Sequence, residues 1–444
     1  MRGKLKGISL ARVASSIVRD DYPAKSVRLV AALIGILFEV HVCAAAMSID
    51  DAQKDVSRAI QSKNASAVDQ LRHAAESGDP VAQDWLGVYY AAEGDFVHAA
   101  EWYRAAASQG YPAAQNNLGL LYDSGHGVPK DPALAFEWFH KAAEQGLADA
   151  QSNIGFAYSH GRGVPQSYPD AIEWYRKSAN SGDAVAQMNM GVMYERGRGV
   201  QQSYAWAAGW YRMAAEQGKA HAQYALGRMY DIGEGIEKDE TQAANWYRKA
   251  AVQGDVKAEY NLGRLYEFGR GVHQDYTQAM HWFSAAAEQG DALAQIGVAS
   301  LYENGWGVVQ NGPLAVQWNR KAAEQGNPFA EFNLALIYDC GRGVPQDSAQ
   351  ALQWYRKSAD RGLAEAQYNL GFMYARGEAV PRNYVKAYAL YALVAQSDFQ
   401  QKSRAASVRD RLASKMTTAQ IKAAQTLTLN MREKGVLTAL DYPD

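Results

Sequence analysis

From Pro112 to Phe399 apolar positions recur in two alternating helical rhythms, and the rhythm repeats every 36 residues without insertion or deletion. Eight blocks begin at Pro112, Ala148, Ala184, Ala220, Val256, Ala292, Pro328 and Ala364. Within each, positions 3, 7, 10 and 11 are apolar, a spacing that lays one stripe along a helix. Position 3 is Ala in every block, position 11 Tyr (Tyr122 through Tyr374) and position 14 Gly. That Gly is the left-handed stop expected after a helix. A Gly-x-Gly-Val loop follows, as in Gly161-Arg162-Gly163-Val164. Position 20 is an N-capping residue in all eight blocks, from Asp131 to Asn383. A second stripe runs through positions 24, 25, 27, 28, 31 and 32, with Trp at position 27 in seven blocks. Small residues at position 8, such as Gly119, Gly155, Ala299 and Ala335, permit close approach of the second helix.

Each block therefore reads as a helical hairpin that buries its stripes against itself and its neighbours. The expected fold class is all-α: a right-handed alpha-alpha superhelix, or solenoid, of stacked 36-residue hairpins. Residues 80–111 read as a shortened copy lacking four loop residues, with Leu86, Gly87, Tyr90, Ala99, Trp102 and Gly110 in register. Counting it as the first gives nine repeats over 80–399. Residues 47–79 read as an N-terminal capping hairpin and 400–444 as C-terminal capping helices; Thr417–Gln420 has the capping-box spacing. The seventh repeat departs from the pattern at Gly297, Ala299, Trp306, Gly312, Pro313 and Asn319, and the ninth at Ala379, Leu390 and Asp398.

Composition changes this picture at the N-terminus. Residues 1–46 carry seven Lys/Arg against three Asp/Glu, so a net charge of −2 becomes −6 for the remainder. Arg19, Lys25 and Arg28 precede the apolar run Leu29–Phe38, and Ala44-Ala45-Ala46 offers a small-residue cleavage site. This reads as a signal peptide with a long basic region, placing the protein in the periplasm or outside the cell. The run is short for a bilayer span, so no integral span is expected in the mature chain. Cleavage would remove Cys43 and leave Cys340 without an intramolecular disulfide partner. A mildly acidic body gives no reason to expect nucleic acid.

The pattern AxAQxNLGxxYxxGxGVxxDxxxAxxWYRKAAEQG resembles the Sel-1-like repeat family, a relative of the tetratricopeptide repeats, and covers residues 80–399. The resemblance implies a non-catalytic protein–protein interaction scaffold or adaptor acting at the cell envelope. It also admits a structural or regulatory role in an envelope polysaccharide or secretion system. Some members are linked to β-lactam hydrolysis, but they carry a Cys pair in each repeat, which this chain lacks. No Ser-x-x-Lys or Gly-x-Ser-x-Gly occurs, and no HExxH. We expect no catalytic residues, no metal ligands and no cofactor. The Gly-x-Gly-Val loops do not continue as phosphate-binding motifs and read as turns.

The informative positions lie opposite the core stripe of the first helix: 2, 5, 9 and 12. Position 5 holds Met188, Tyr224, Tyr260, Phe332 and Tyr368 where a solvated helix would be polar. Position 6 is Asn in six repeats, including Asn189, Asn261, Asn333 and Asn369. Position 12 is acidic in six, among them Glu195, Asp231, Glu267, Glu303 and Asp339. Because the first helices of such solenoids line the concave surface, these residues predict an aromatic, amide-rich, acid-edged groove for a protein or peptide, or for a glycan. The competing expectation is structural: position 5 packs between repeats, and position 12 pairs with the Arg at position 15 of its own repeat, as in Glu195–Arg198, Glu267–Arg270 and Asp339–Arg342.

Overall fold

The computed structural model describes residues 65–398, 400 and 402–441. The expected signal peptide, and residues 47–64 of the expected capping hairpin, lie outside them. Among the described residues there are 22 helices and no strand. They fall into two compact units. The first, ending at Ala222 and including Glu234–Ile236, holds α1 (Ala65–Glu76), α2 (Pro80–Ala92), α3 (Phe96–Ser108), α4 (Pro112–Ser124), α5 (Pro132–Glu144), α6 (Ala148–His160), α7 (Tyr168–Asn180), α8 (Ala184–Arg196) and α9 (Tyr204–Glu216). The second begins within α10 (Ala220–Ile232). It continues through α11 (Glu240–Ala251), α12 (Val256–Phe268), α13 (Tyr276–Glu288), α14 (Ala292–Asn304), α15 (Gly312–Glu324), α16 (Pro328–Cys340), α17 (Ser348–Asp360), α18 (Ala364–Arg376) and α19 (Tyr384–Ala395). Three further helices follow: α20 (Lys402–Ala413), α21 (Thr418–Lys434) and α22 (Val436–Asp441). Within each unit consecutive hairpins pack in sequence order, the packing of a solenoid.

The sixth repeat shows why this sequence makes a hairpin. Asp255 caps α12 by accepting from the Ala258 N–H at 2.9 Å, and Gly269 closes the helix in the left-handed region at φ 67°. The Asp275 carboxylate then caps α13, accepting from the Thr277 and Gln278 amides. Its own N–H donates to the Tyr266 carbonyl at 3.0 Å, which pins the loop to the end of α12. Ala258, Leu262 and Leu265 are fully buried with Ala243, Ala244, Tyr247 and Ala250 of the preceding repeat, while Ala279, Phe283, Ala286 and Ala287 of α13 share a core with Ala294, Val298 and Leu301 of the next. Gly263 is required by the ring opposite: a Cβ there would stand 2.6 Å from Phe283.

Two expected core positions sit differently. The position-11 tyrosines are half-buried, except Tyr374. They lie at the seam, where the hydroxyl accepts from an arginine of the preceding repeat, as Tyr266 does from Arg248 at 2.9 Å. The largest fully buried rings are instead at position 28, among them Tyr175, Tyr211, Tyr247, Phe283, Tyr355 and Tyr391. The position-27 tryptophans are also half-buried. One face packs on the core shared with the preceding repeat, as Trp282 does on the cluster that holds Ala250 and Leu262. Where position 30 is lysine the ammonium covers the other face, Lys321 lying 3.8 Å from the Trp318 ring centre.

A polar ladder fastens the hairpin ends. The Gln at position 34 donates to the Gln at position 4, thirty residues earlier in the same repeat: Gln145 to Gln115 at 2.8 Å, Gln217 to Gln187 at 2.7 Å and Gln325 to Gln295 at 3.0 Å. In the eighth repeat the same rung is an ion pair, Arg361 with Glu331 at 3.1 Å. The position-4 glutamine also donates to a carbonyl ending the preceding repeat's second helix, as Gln295 does to Ala287 at 3.2 Å.

Candidate functional site

At position 5 the predicted groove aromatics stand on the buried position-28 ring of their own hairpin. Tyr224 lies 5.9 Å from Tyr247, Tyr260 5.8 Å from Phe283, Phe332 5.9 Å from Tyr355 and Tyr368 5.1 Å from Tyr391, between ring centres. All four, and Met188 in the first unit, are half-buried. One edge of each thus belongs to the hairpin and the other faces outward. Burial beside Asp339 raises the ionisation of Tyr355 well above that of a free tyrosine, so its hydroxyl stays neutral.

The position-6 asparagines work largely across the seam. Asn369 donates to the Tyr355 hydroxyl of the preceding repeat at 3.1 Å, and Asn333 reaches Asn319 at 3.5 Å. Asn261 turns back to its own helix at the Lys257 carbonyl, and Asn189 is half-buried. In the first unit Asn153 and Asn117 are buried and donate to the position-5 residues of the preceding repeat, Asn116 at 2.8 Å and Asp84 at 3.0 Å. Gly297 stands at position 6 of repeat seven because a Cβ there would lie 2.9 Å from Phe283.

The acids of position 12 correct one expectation. Arg270 and Arg342 do not pair within their own repeats; each reaches back to the preceding one, 39 residues earlier. Arg270 binds Asp231 at 2.6 Å and Glu240 at 2.8 Å, Arg342 binds Glu303 at 3.1 Å, and in the first unit Arg162 binds Asp123 at 2.9 Å. The loop carrying position 15 folds over the preceding hairpin, which a wheel drawn for one helix does not reveal. Glu195 and Asp339 accept instead from the hydroxyls of Tyr211 and Tyr355. Glu267 differs from the other five: its carboxylate has no hydrogen bond or ion pair among the described residues. Beside the Asp123–Arg162 pair a cavity of about 100 Å³ opens, lined also by Phe136, Phe139 and Phe156.

Exposed apolar side chains stand elsewhere on the first helices, and Trp206 and Met213 are exposed on a second helix. Leu293 and Phe329 occupy position 2, Phe372 position 9, and Ile232 and Phe268 position 13. At 100° per residue, positions 2, 5, 9 and 13 share one face. The sequence shows these residues, but neither helix's periodicity tells which of its outward positions a neighbouring repeat covers. Among the described residues no three His, Cys, Asp or Glu side chains converge as metal ligands. No helix among them is long and apolar enough to cross a membrane.

The family model for the Sel1 repeat matches nine consecutive segments, residues 80–111, 112–147, 148–183, 184–219, 220–255, 256–291, 292–327, 328–363 and 364–398. Among solved structures, c5321, a protective antigen present in uropathogenic Escherichia coli strains displaying an SLR fold, is 33% identical. That match covers 84% of this chain and 96% of that one, with a TM-score of 0.58. A Sel1 repeat protein from Oxalobacter formigenes is 34% identical over 54% of this chain and 96% of its own, with a TM-score of 0.49. No curated protein matches the chain.

Proposed function

The chain belongs to the Sel1 repeat family, and from that premise we propose that it is a non-catalytic scaffold binding a protein or peptide partner along the outward face of its first helices. The observation that carries the reading is the apolar character of this face in the second unit. Phe329 is 53% and Phe372 39% exposed, and Leu293 and Phe268 share their exposure. Aromatic side chains held on rigid helices bury much area on binding and lose little rotamer freedom. The outward edges of Tyr260, Phe332 and Tyr368 extend the same face.

The test uses the exposed residues, because truncating Tyr260 would also strip a ring from Phe283. A Phe329→Ser/Phe372→Ser variant should shift stability by no more than about 1 kcal/mol, as expected for two surface positions. It should lose at least tenfold in affinity for a partner captured by the native chain. Undiminished capture by a folded variant would place binding elsewhere. The proposal includes export, supported by the basic segment, Leu29–Phe38 and Ala44-Ala45-Ala46. Intact-mass analysis from a bacterial host should find a chain beginning near Met47; a full-length cytosolic chain would remove this part of the reading.

A further inference from the structure

We propose that Glu267, Trp306 and Tyr276 form a docking site for an arginine side chain presented by a protein partner, an inference that rests on the scaffold reading and gives it a second, chemically defined contact. The internal junctions supply the template. At position 15 the chain places an arginine in four repeats, and the groups these side chains meet in the preceding repeat stand at position 12, at position 21, or at both. Arg270 uses both, binding Asp231 and Glu240. Arg342 takes Glu303. Arg198, which faces Ser159 rather than an acid, lies over the ring of Tyr168, the position-21 residue, 5.5 Å from its centre.

At the junction of repeats six and seven both receiving groups are present and the arginine is missing. Glu267 is the acid at position 12, Tyr276 the ring at position 21, and Trp306 stands at position 15. The loop itself is unchanged. The Trp306 N–H donates to the Leu301 carbonyl at 3.0 Å, as the Arg270 N–H does to Leu265 at 2.9 Å and the Arg342 N–H to Ile337 at 3.0 Å. The indole therefore leaves the loop where a guanidinium leaves it elsewhere. It lies on Tyr276 with ring centres 5.1 Å apart and planes 24° from parallel, and 40% of Trp306 remains exposed.

Glu267 is half-buried, and burial raises its pKa above the usual carboxylate value. Arg264, one turn back on α12, lowers the Glu267 pKa through space without bonding to it. Its guanidinium carbon lies 6.0 Å from the Tyr260 ring centre. A planar guanidinium from outside would stack on the free indole face and reach the carboxylate through its N–H fork, two contacts that favour arginine over lysine.

The experiment measures saturation-transfer NMR on the native chain with the peptide Ac-Gly-Arg-Gly-NH2 and its citrulline counterpart, which keeps the shape and loses the charge. The arginine peptide should give side-chain signals at least fivefold stronger than citrulline. Glu267→Gln should abolish that difference. Trp306→Arg should abolish it too, by filling the site from within as Arg270 and Arg342 do, so its retained melting point shows that the loss is not unfolding. The Phe329→Ser/Phe372→Ser variant should keep the peptide signal, so failure of the helix face and failure of this site read out separately. Equal signals from the two peptides would overturn the assignment and leave Trp306 an exposed surface ring. So would signals that survive both site variants, or signals lost with the helix-face variant.

Discussion

Gly271→Ala is expected to destabilise the second unit by about 2–5 kcal/mol, summing the strain of a left-handed alanine with overpacking against fixed backbone. Gly271 holds φ 65°, and a Cβ added to it would lie 2.1 Å from the Glu240 carbonyl oxygen of the preceding repeat. A helix start cannot yield by a rotamer change, so the loop must lift, and Arg270 beside it must release Asp231 and Glu240. The control is Gly254→Ala, at φ 83° with nothing within 4 Å of the new Cβ. That variant carries the conformational strain alone, about 1–2 kcal/mol. Urea midpoints that coincide for the two variants would show that the seam at Gly271 is loose. Ala379, at the same loop position in repeat nine, takes the left-handed conformation at φ 57°.

The second large effect depends on pH. Asp84 is buried at position 5 of the first repeat, beside the buried Tyr103, and its side chain accepts one hydrogen bond, from Asn117 at 3.0 Å. Burial pushes its pKa up to about 7, against 3.8 for an ordinary aspartate. Between those values the unfolded chain gives up the proton and the folded chain keeps it. Stability is therefore highest below about pH 4, falls as pH rises through the window, and levels off above about 7. The full loss is about 4 kcal/mol at 1.36 kcal/mol per pH unit.

Asp84→Asn removes the titration, and the seam already shows that the replacement fits. One repeat later the equivalent contact is Asn116 accepting from Asn153 at 2.8 Å. At pH 8.5 the variant should be the more stable protein, and at pH 4 the two should converge. Because a terminal repeat can open without the rest, amide exchange in α2 and α3 reports the effect more faithfully than a global melt. Parallel pH curves for the two proteins would show that Asp84 ionises freely.

What was legible in the sequence is what recurs at short range along one hairpin. The stop at Gly269, the cap at Asp275 and the stripe through Ala258, Leu262 and Leu265 rest on residues a few positions apart, and their recurrence every 36 residues marks them out. The seam is a different matter. A helical wheel separates the faces of α12 but does not say what arrives on them, so Tyr266 reads as core although it lies half-buried between repeats. Glu267 and Arg270 likewise read as partners although Arg270 belongs to Asp231. The face opposite the core stripe was identifiable, and Tyr260, Phe332 and Tyr368 lie on it. Their rings are shared with position 28 because an aromatic there needs cover on its outer side. The glutamine ladder was hidden for another reason: partners thirty residues apart fall in different helices, each looking like an ordinary polar terminus.

That ladder makes a cassette of each repeat that carries a rung. The rung closing a hairpin, whether Gln325–Gln295 or the charged Arg361–Glu331, has both ends inside one 36-residue unit and would travel intact through duplication or excision. The bonds from loop to preceding hairpin do not travel; they join neighbours and so write the order of the units into the chain. Excising residues 292–327 would bring repeat eight behind repeat six and set Arg342 before Glu267, the carboxylate without a hydrogen bond or ion pair among the described residues. A gene that gained this unit by recombination would have acquired, in one event, both a longer stack and an acid released from internal duty.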